Sequence, residues 1–367
     1  MTEPKRRILS KDVLRRMPKV LLHDHLDGGL RPQTVIDLLR GDPDVKLPTE
    51  DPQALGEWFF RGANKGNLTE YLEGFSLTCA AMQSEDALKR VAFELMEDMQ
   101  KDGVVYTEVR FAPFLHTNKG LNVEQVMTAV LAGLSEGRKA TGVGFGLIVC
   151  ALRNVDAAVS LAMAELAVAF RDRGCVAFDL AGDEFGHPPK THLEAFHYCQ
   201  RENFNITVHA GEAFGAPSIW QALQYCGAHR IGHCTRLIED MTIHEGEIVQ
   251  MGTLSSYVRD HRIPLEICLS SNVHTGAVAS LEAHPFRHFF ARRFRVTLNT
   301  DNRLMSNTTL TDEYAIAHEL FGLDADQLEK IAVNSMKSSF LGFDERLKII
   351  YDEIKTGYNE LREEGSI

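Results

Sequence analysis

The run Ile206-Thr207-Val208-His209-Ala210-Gly211-Glu212 ends an apolar, β-branched stretch on a histidine, with a glycine and a glutamate directly after it. A helical pattern opens at Ala216-Pro217-Ser218-Ile219-Trp220. This order predicts a strand, a tight turn and a helix start. His209 then stands at the carboxyl end of the strand, with Glu212 just above it. A neutral imidazole can hold a metal, and a carboxylate close by can move protons for a metal-bound water. A lone strand-end histidine is an ordinary packing residue; the other strand ends change that reading. A first apolar run closes on His23-Asp24-His25, and strand alternation puts His23 and His25 on one face. Further runs end at His233 and just before Asp301. Three imidazoles and a carboxylate make a Zn²⁺ site with room for a water. A second metal needs a bridging anion, which barrel hydrolases often take from a modified lysine on a middle strand. Cys175–Leu180 contains no lysine, so one metal per chain is expected. His233 is then unneeded as a ligand and free to hold or deprotonate the metal-bound water.

The elements that must position these groups recur along the chain. Short apolar runs lie at Val20–His25, Val104–Phe111, Gly144–Cys150, Cys175–Leu180, Ile206–His209, His229–His233, Leu265–Leu269 and Arg295–Thr300. Helical patterns separate them, Ala157–Phe170 most clearly, and no hairpin signal interrupts the series. Eight strands alternating with helices predict a parallel sheet closed as a (β/α)₈ TIM barrel, whose functional groups collect at the carboxyl ends of the strands. The alternative is an open doubly wound sheet, but no Gly-x-Gly-x-x-Gly follows a strand. The interval after the first run is long and helical, about 42–101, and is read as a lid over the site. Leu72 and Phe75 could close over a ligand there. Helical patterns at about 311–363 would cover the outside or bottom of the barrel. No linker or repeat divides residues 1–367, so one domain is expected. Of the remaining histidines, His284 and His288 beside Pro285, Arg287, Arg292 and Arg293 suggest an exposed helix start. His187, His192 and His197 read as surface residues.

The formal net charge of -12 argues against nucleic acid or an anionic membrane surface as the main partner. No apolar run reaches membrane-spanning length, and the amino-terminal segment leads into no signal-peptide core. The seven cysteines form no Cys-x-x-Cys pair and read as buried thiols of a cytoplasmic protein. His-Glu-x-x-His, Gly-x-Ser-x-Gly, the P-loop and the cytidine-deaminase zinc signature are all absent.

Taken together, the segments Pro18–Gly29, Tyr106–Pro113, Asp179–Glu184, His209–Glu212, Arg230–His233 and Leu298–Asp301 resemble the adenosine deaminase family of metal-dependent amidohydrolases, and in that family's order. The resemblance implies a single Zn²⁺ held by His23, His25, His209 and Asp301. It implies that Glu212 protonates the purine ring nitrogen beside the reacting carbon, while His233 and Asp301 orient and deprotonate the attacking water. The Gly182 N–H would donate to another ring nitrogen, and Asp27 would bind a ribose hydroxyl. His25 borders the same substrate site. Asn302 stands where the animal-type pattern has a second aspartate, and its amide would keep a donor toward the purine at every working pH. The expected substrates are a purine nucleoside, adenosine or 2′-deoxyadenosine, and water, with inosine and ammonia as products. Relatives acting on adenine or a 6-amino-6-deoxyfutalosine-type nucleoside tend to carry glutamate at the position of Asp27. A non-catalytic nucleoside- or protein-binding barrel is the remaining alternative, and the oligomeric state stays open.

Overall fold

The computed structural model describes residues 8–65 and 74–367. Eight strands pair in parallel: β1 (Lys19–His25), β2 (Val104–Phe111), β3 (Gly144–Leu152), β4 (Cys175–Ala181), β5 (Asn205–Ala210), β6 (Arg230–His233), and then β9 (Pro264–Ile267) and β10 (Arg295–Leu298). The chain after β10 returns to β1. His25 N donates to Asp301 O at 2.7 Å, and Asp301 N donates to His23 O at 2.9 Å. Those two bonds close the barrel where the candidate ligands lie, as expected for a TIM barrel.

One hairpin interrupts the series: β7 (Met241–His244) pairs antiparallel with β8 (Glu247–Met251). Its turn is Glu245-Gly246, both at positive φ. The sequence reading passed over it because the strands are short and mostly exposed, so they carry no apolar run.

Alternation along the strands puts Val109, Phe178, Val208, Ile231 and Leu265 toward the surrounding helices, and all are buried. The helix Glu85–Lys101 starts on a Ser84 cap. It buries Leu88, Val91, Leu95, Met96 and Met99, each stabilising by roughly 1.5–3 kcal/mol. That face packs on the helix Val123–Thr141, outside the barrel. Among the described residues of the insertion, the helix Phe75–Ala81 borders the site, and its Phe75 ring meets His25 edge-on at 6.4 Å. Leu72, also assigned to the lid, lies outside the described residues. The helix Ala325–Ser338 packs against β1 and β10. The chain just after it puts the Phe340 ring 3.8 Å under the Arg230 guanidinium. No helix among the described residues is long and apolar enough to cross a membrane.

Candidate active site

His23 and His25 on β1, His209 on β5 and Asp301 after β10 converge. Asp301 Oδ1 lies 3.2 Å from His23 Nε2 and 3.3 Å from His25 Nε2, and His25 Nε2 lies 3.2 Å from His209 Nε2. A tetrahedron with metal–ligand bonds of about 2.0–2.1 Å has edges of roughly 3.3 Å, so these three separations fit a divalent metal, with His233 also bringing a ligating atom within 4.8 Å of those of His23, His209 and Asp301. The tautomers fit as well. His23 Nδ1 donates to Glu266 Oε2 at 2.7 Å, and His209 Nδ1 donates to Asp179 at 3.1 Å. Carboxylates only accept, so both Nε2 atoms carry bare lone pairs aimed at the centre. Burial alone would raise the Asp301 pKa, but the imidazoles of His23, His233 and His25 around it hold it well below the usual range. Burial also keeps His25 neutral.

Glu212 sits on the loop after β5. That loop is fixed by Glu184, whose carboxylate accepts the N–H groups of Gly211 (2.8 Å), Glu212 (2.9 Å), Ala213 (2.7 Å) and Phe214 (3.0 Å). Arg236 Nε donates to the Glu212 carbonyl at 3.0 Å. Burial, and then the negative charge of Asp301, push the Glu212 carboxyl up to about 8, so it holds a proton at neutral pH. Its Oε2 is 3.5 Å from His233 Nε2.

His233 is oriented from behind by a chain of hydrogen bonds. Phe286 N–H donates to His284 Nδ1 at 3.0 Å. His284 Nε2 therefore carries the proton and donates to Asn272 Oδ1 at 3.2 Å. The Asn272 amide then donates to His233 Nδ1 at 2.9 Å. A backbone donor cannot reverse, so neutral His233 must carry its proton on Nε2, facing Glu212 and the cluster. Burial pushes its pKa down to about 4, which keeps it neutral.

A cavity of about 200 Å³ opens beside the cluster, lined by His25, Asp27, Phe75, Leu115, Cys150 and Gly182 among others. Gly182 holds φ +88°, a conformation that glycine adopts without strain. Asn302 is buried with Oδ1 unpartnered, and it packs so closely on Gly28 that a Cβ there would overlap it.

With the geometry in view, the comparisons place the chain. A sequence model described as adenosine deaminase matches residues 18–356. The chain belongs to the adenosine deaminase family. It is 53% identical over 360 residues to adenosine deaminase 1 of Streptomyces coelicolor, covering 97% of this chain and 90% of that one. It is 53% identical over 346 residues to an adenosine deaminase of Mycobacteroides abscessus, covering 93% and 95%. In structure it resembles an adenine deaminase of Arthrobacter aurescens, with TM-score 0.83 and 23% identity over 95% and 99% of the chains, a likeness of fold. It also resembles the N6-methyl-AMP deaminase of Arabidopsis thaliana, with TM-score 0.79 and 25% identity over 97% and 100%.

The deaminase barrel also contains functional groups that the sequence reading missed. Beneath the imidazoles lies a buried charged layer. Glu266 accepts from Arg110 Nη2 at 2.9 Å and Arg230 Nε at 2.6 Å, and Arg110 Nη1 pairs with Asp179 at 3.0 Å. The signal was present: charged residues interrupt otherwise apolar strands in Thr107-Glu108-Val109-Arg110 and Leu265-Glu266-Ile267. Two assignments are corrected. His284 is buried, because Asn272 gives its ring a partner beneath the surface. His192 is also buried, bonded to Ser160 Oγ at 2.8 Å and the Arg153 carbonyl at 3.1 Å. His197 is exposed and His187 half-buried.

Proposed function

We propose that the chain catalyses hydrolytic deamination of adenosine to inosine and ammonia, with one zinc ion held by His23, His25, His209 and Asp301. The carrying observation is Glu212: a buried carboxyl, held protonated, facing the same centre as the ligand cluster. Zinc bound there supplies Lewis-acid activation of water. Glu212 donates its proton to the ring nitrogen next to the amino-bearing carbon and makes that carbon electrophilic. His233 donates through Nε2–H and orients the attacking water. Asp301 accepts the water's proton and passes it to the amine, which leaves as ammonia, while the new oxygen gives up its remaining proton to Glu212 as the carbonyl of inosine forms. The direction of its hydrogen bonds supports His233 as an orienting donor, with Asp301 as the base.

Substrate contacts are proposed at the neighbouring cavity. His25 and Asp27 face the sugar, Asp27 accepting a ribose hydroxyl. The Gly182 N–H and the Asn302 amide donate to purine ring nitrogens. A panel of adenosine, 2′-deoxyadenosine, adenine and AMP, followed by ultraviolet absorbance, tests the reading. Adenosine should turn over fastest. A protein inert on adenosine but active on another aminopurine would reject it.

A further inference from the structure

A second cluster of ligating atoms lies beside this cavity, and of its three residues only Asp27 enters the function proposed above, as the sugar contact. Asp27 on the turn Leu26–Gly28, Cys79 on the helix Phe75–Ala81 and His116 at the end of the turn Pro113–His116 bring one oxygen, one sulfur and one nitrogen within 4.8 Å of one another. His116 Nε2 is 3.6 Å from Asp27 Oδ2, beyond a hydrogen bond but near the edge of a metal tetrahedron. His116 is fully buried, yet neither ring nitrogen has a partner, and Asp27 Oδ1 also lacks one. Buried polar groups are almost always paired, so three such atoms in one place point to a ligand.

Two of the three elements are braced together. Gln83 Nε2 donates to Cys79 O at 2.7 Å and to Leu115 O at 2.9 Å, and Gln83 Oε1 accepts from Asn118 N at 2.9 Å. The amide thus ties the helix carrying Cys79 to the turn carrying His116. A solvent-facing cavity of about 500 Å³, lined by Cys79, Phe75, Gln83 and Leu115 among others, gives a route in.

We propose that Asp27, Cys79 and His116 form a second, weaker binding site for a thiophilic divalent cation such as zinc, and that its occupation excludes the nucleoside. A thiol, an imidazole and a carboxylate favour zinc and its softer relatives over magnesium or calcium. Burial, and then the Asp27 carboxylate, push the Cys79 thiol pKa up, so binding releases its proton to solvent. The exclusion rests on the proposed sugar contact of Asp27; the binding does not.

The test uses the full-length protein, carrying the metal it is purified with. It is equilibrated with added zinc, freed of unbound metal and analysed for metal per chain. The parent should take up a second equivalent. Cys79→Ser and His116→Leu should keep the first and lose affinity for the second by at least about tenfold. Added cobalt(II) should give a thiolate charge-transfer band in the parent that Cys79→Ser abolishes. Cys79→Ser should turn over adenosine like the parent yet resist inhibition by excess zinc. A parent that binds one equivalent only, or a Cys79→Ser variant that still binds two, overturns the proposal. So does His116→Leu raising the adenosine KM in a protein that never takes a second metal, since the imidazole then serves the nucleoside directly. Uptake of the second metal without inhibition removes the exclusion and leaves the site.

Discussion

At the scale of single residues, protons decide the chemistry. Glu212→Gln keeps the shape of the side chain but has no proton to give. It should retain the metal and lose about 10²–10⁴-fold in kcat, read by turnover alongside elemental analysis. Turnover within a few-fold of the parent would mean that the ring is protonated by another group. The His284–Asn272–His233 chain makes a less direct prediction. His284→Leu removes the donor that holds Asn272 in one orientation, so the amide is free to flip and His233 to take its other tautomer. Nitrogen NMR of the His233 ring should show Nε2–H in the parent and a mixture in the variant. Metal content should stay the same and kcat should fall. His284 reads as an exposed helix start from Pro285 and the arginines near it. Only the fold shows that its ring turns inward.

At the scale of elements, the loop after β5 depends on a loop it never neighbours in sequence. Glu184 follows β4 and binds four successive N–H groups around Glu212. Such an arrangement stabilises the carboxylate and fixes the loop that carries the proposed acid, Glu212. Glu184→Ala should leave those amides unpaired or wet. The expected cost is about 1–3 kcal/mol in stability, read as a lower denaturation midpoint. Amide exchange at residues 211–214 should speed up, and kcat should fall more than KM rises. Unchanged exchange at those amides would assign the loop's order to Arg236 and Thr235 instead. The barrel strands themselves were legible in the sequence to within a few residues, because buried parallel strands are mostly apolar runs bounded by turn residues. The β7–β8 hairpin was not, since exposed strands leave no such mark.

At the scale of the whole molecule, the proposed ligands come from segments far apart in the chain, and β1 and Asp301 also close the barrel. Metal binding at these residues would therefore be linked to barrel closure. A ligand that binds only the folded state stabilises it by RT ln(1 + [L]/Kd), about 4 kcal/mol at a thousandfold excess over Kd. Chelation should lower Tm by several degrees, and added zinc should restore it. Equal Tm values for metal-free and metal-loaded protein would show that the cluster holds no tight metal.

The sequence by itself determined the strand ends, the presence of His23, His25, His209, His233 and Asp301 at them, and the alternation that turns the β1 pair to one face. Local chemistry is enough for that, because apolar periodicity and turn residues are written residue by residue. Tertiary structure decided what each of those groups can do. Which nitrogen of His233 bears the proton depends on a backbone N–H at Phe286. Whether Glu212 is an acid or a carboxylate depends on burial and on Asp301. The imidazoles are aimed by Glu266 and Asp179, which lie on other strands. Desolvation and hydrogen bonding act through space, between residues up to hundreds of positions apart, so no local pattern could carry them.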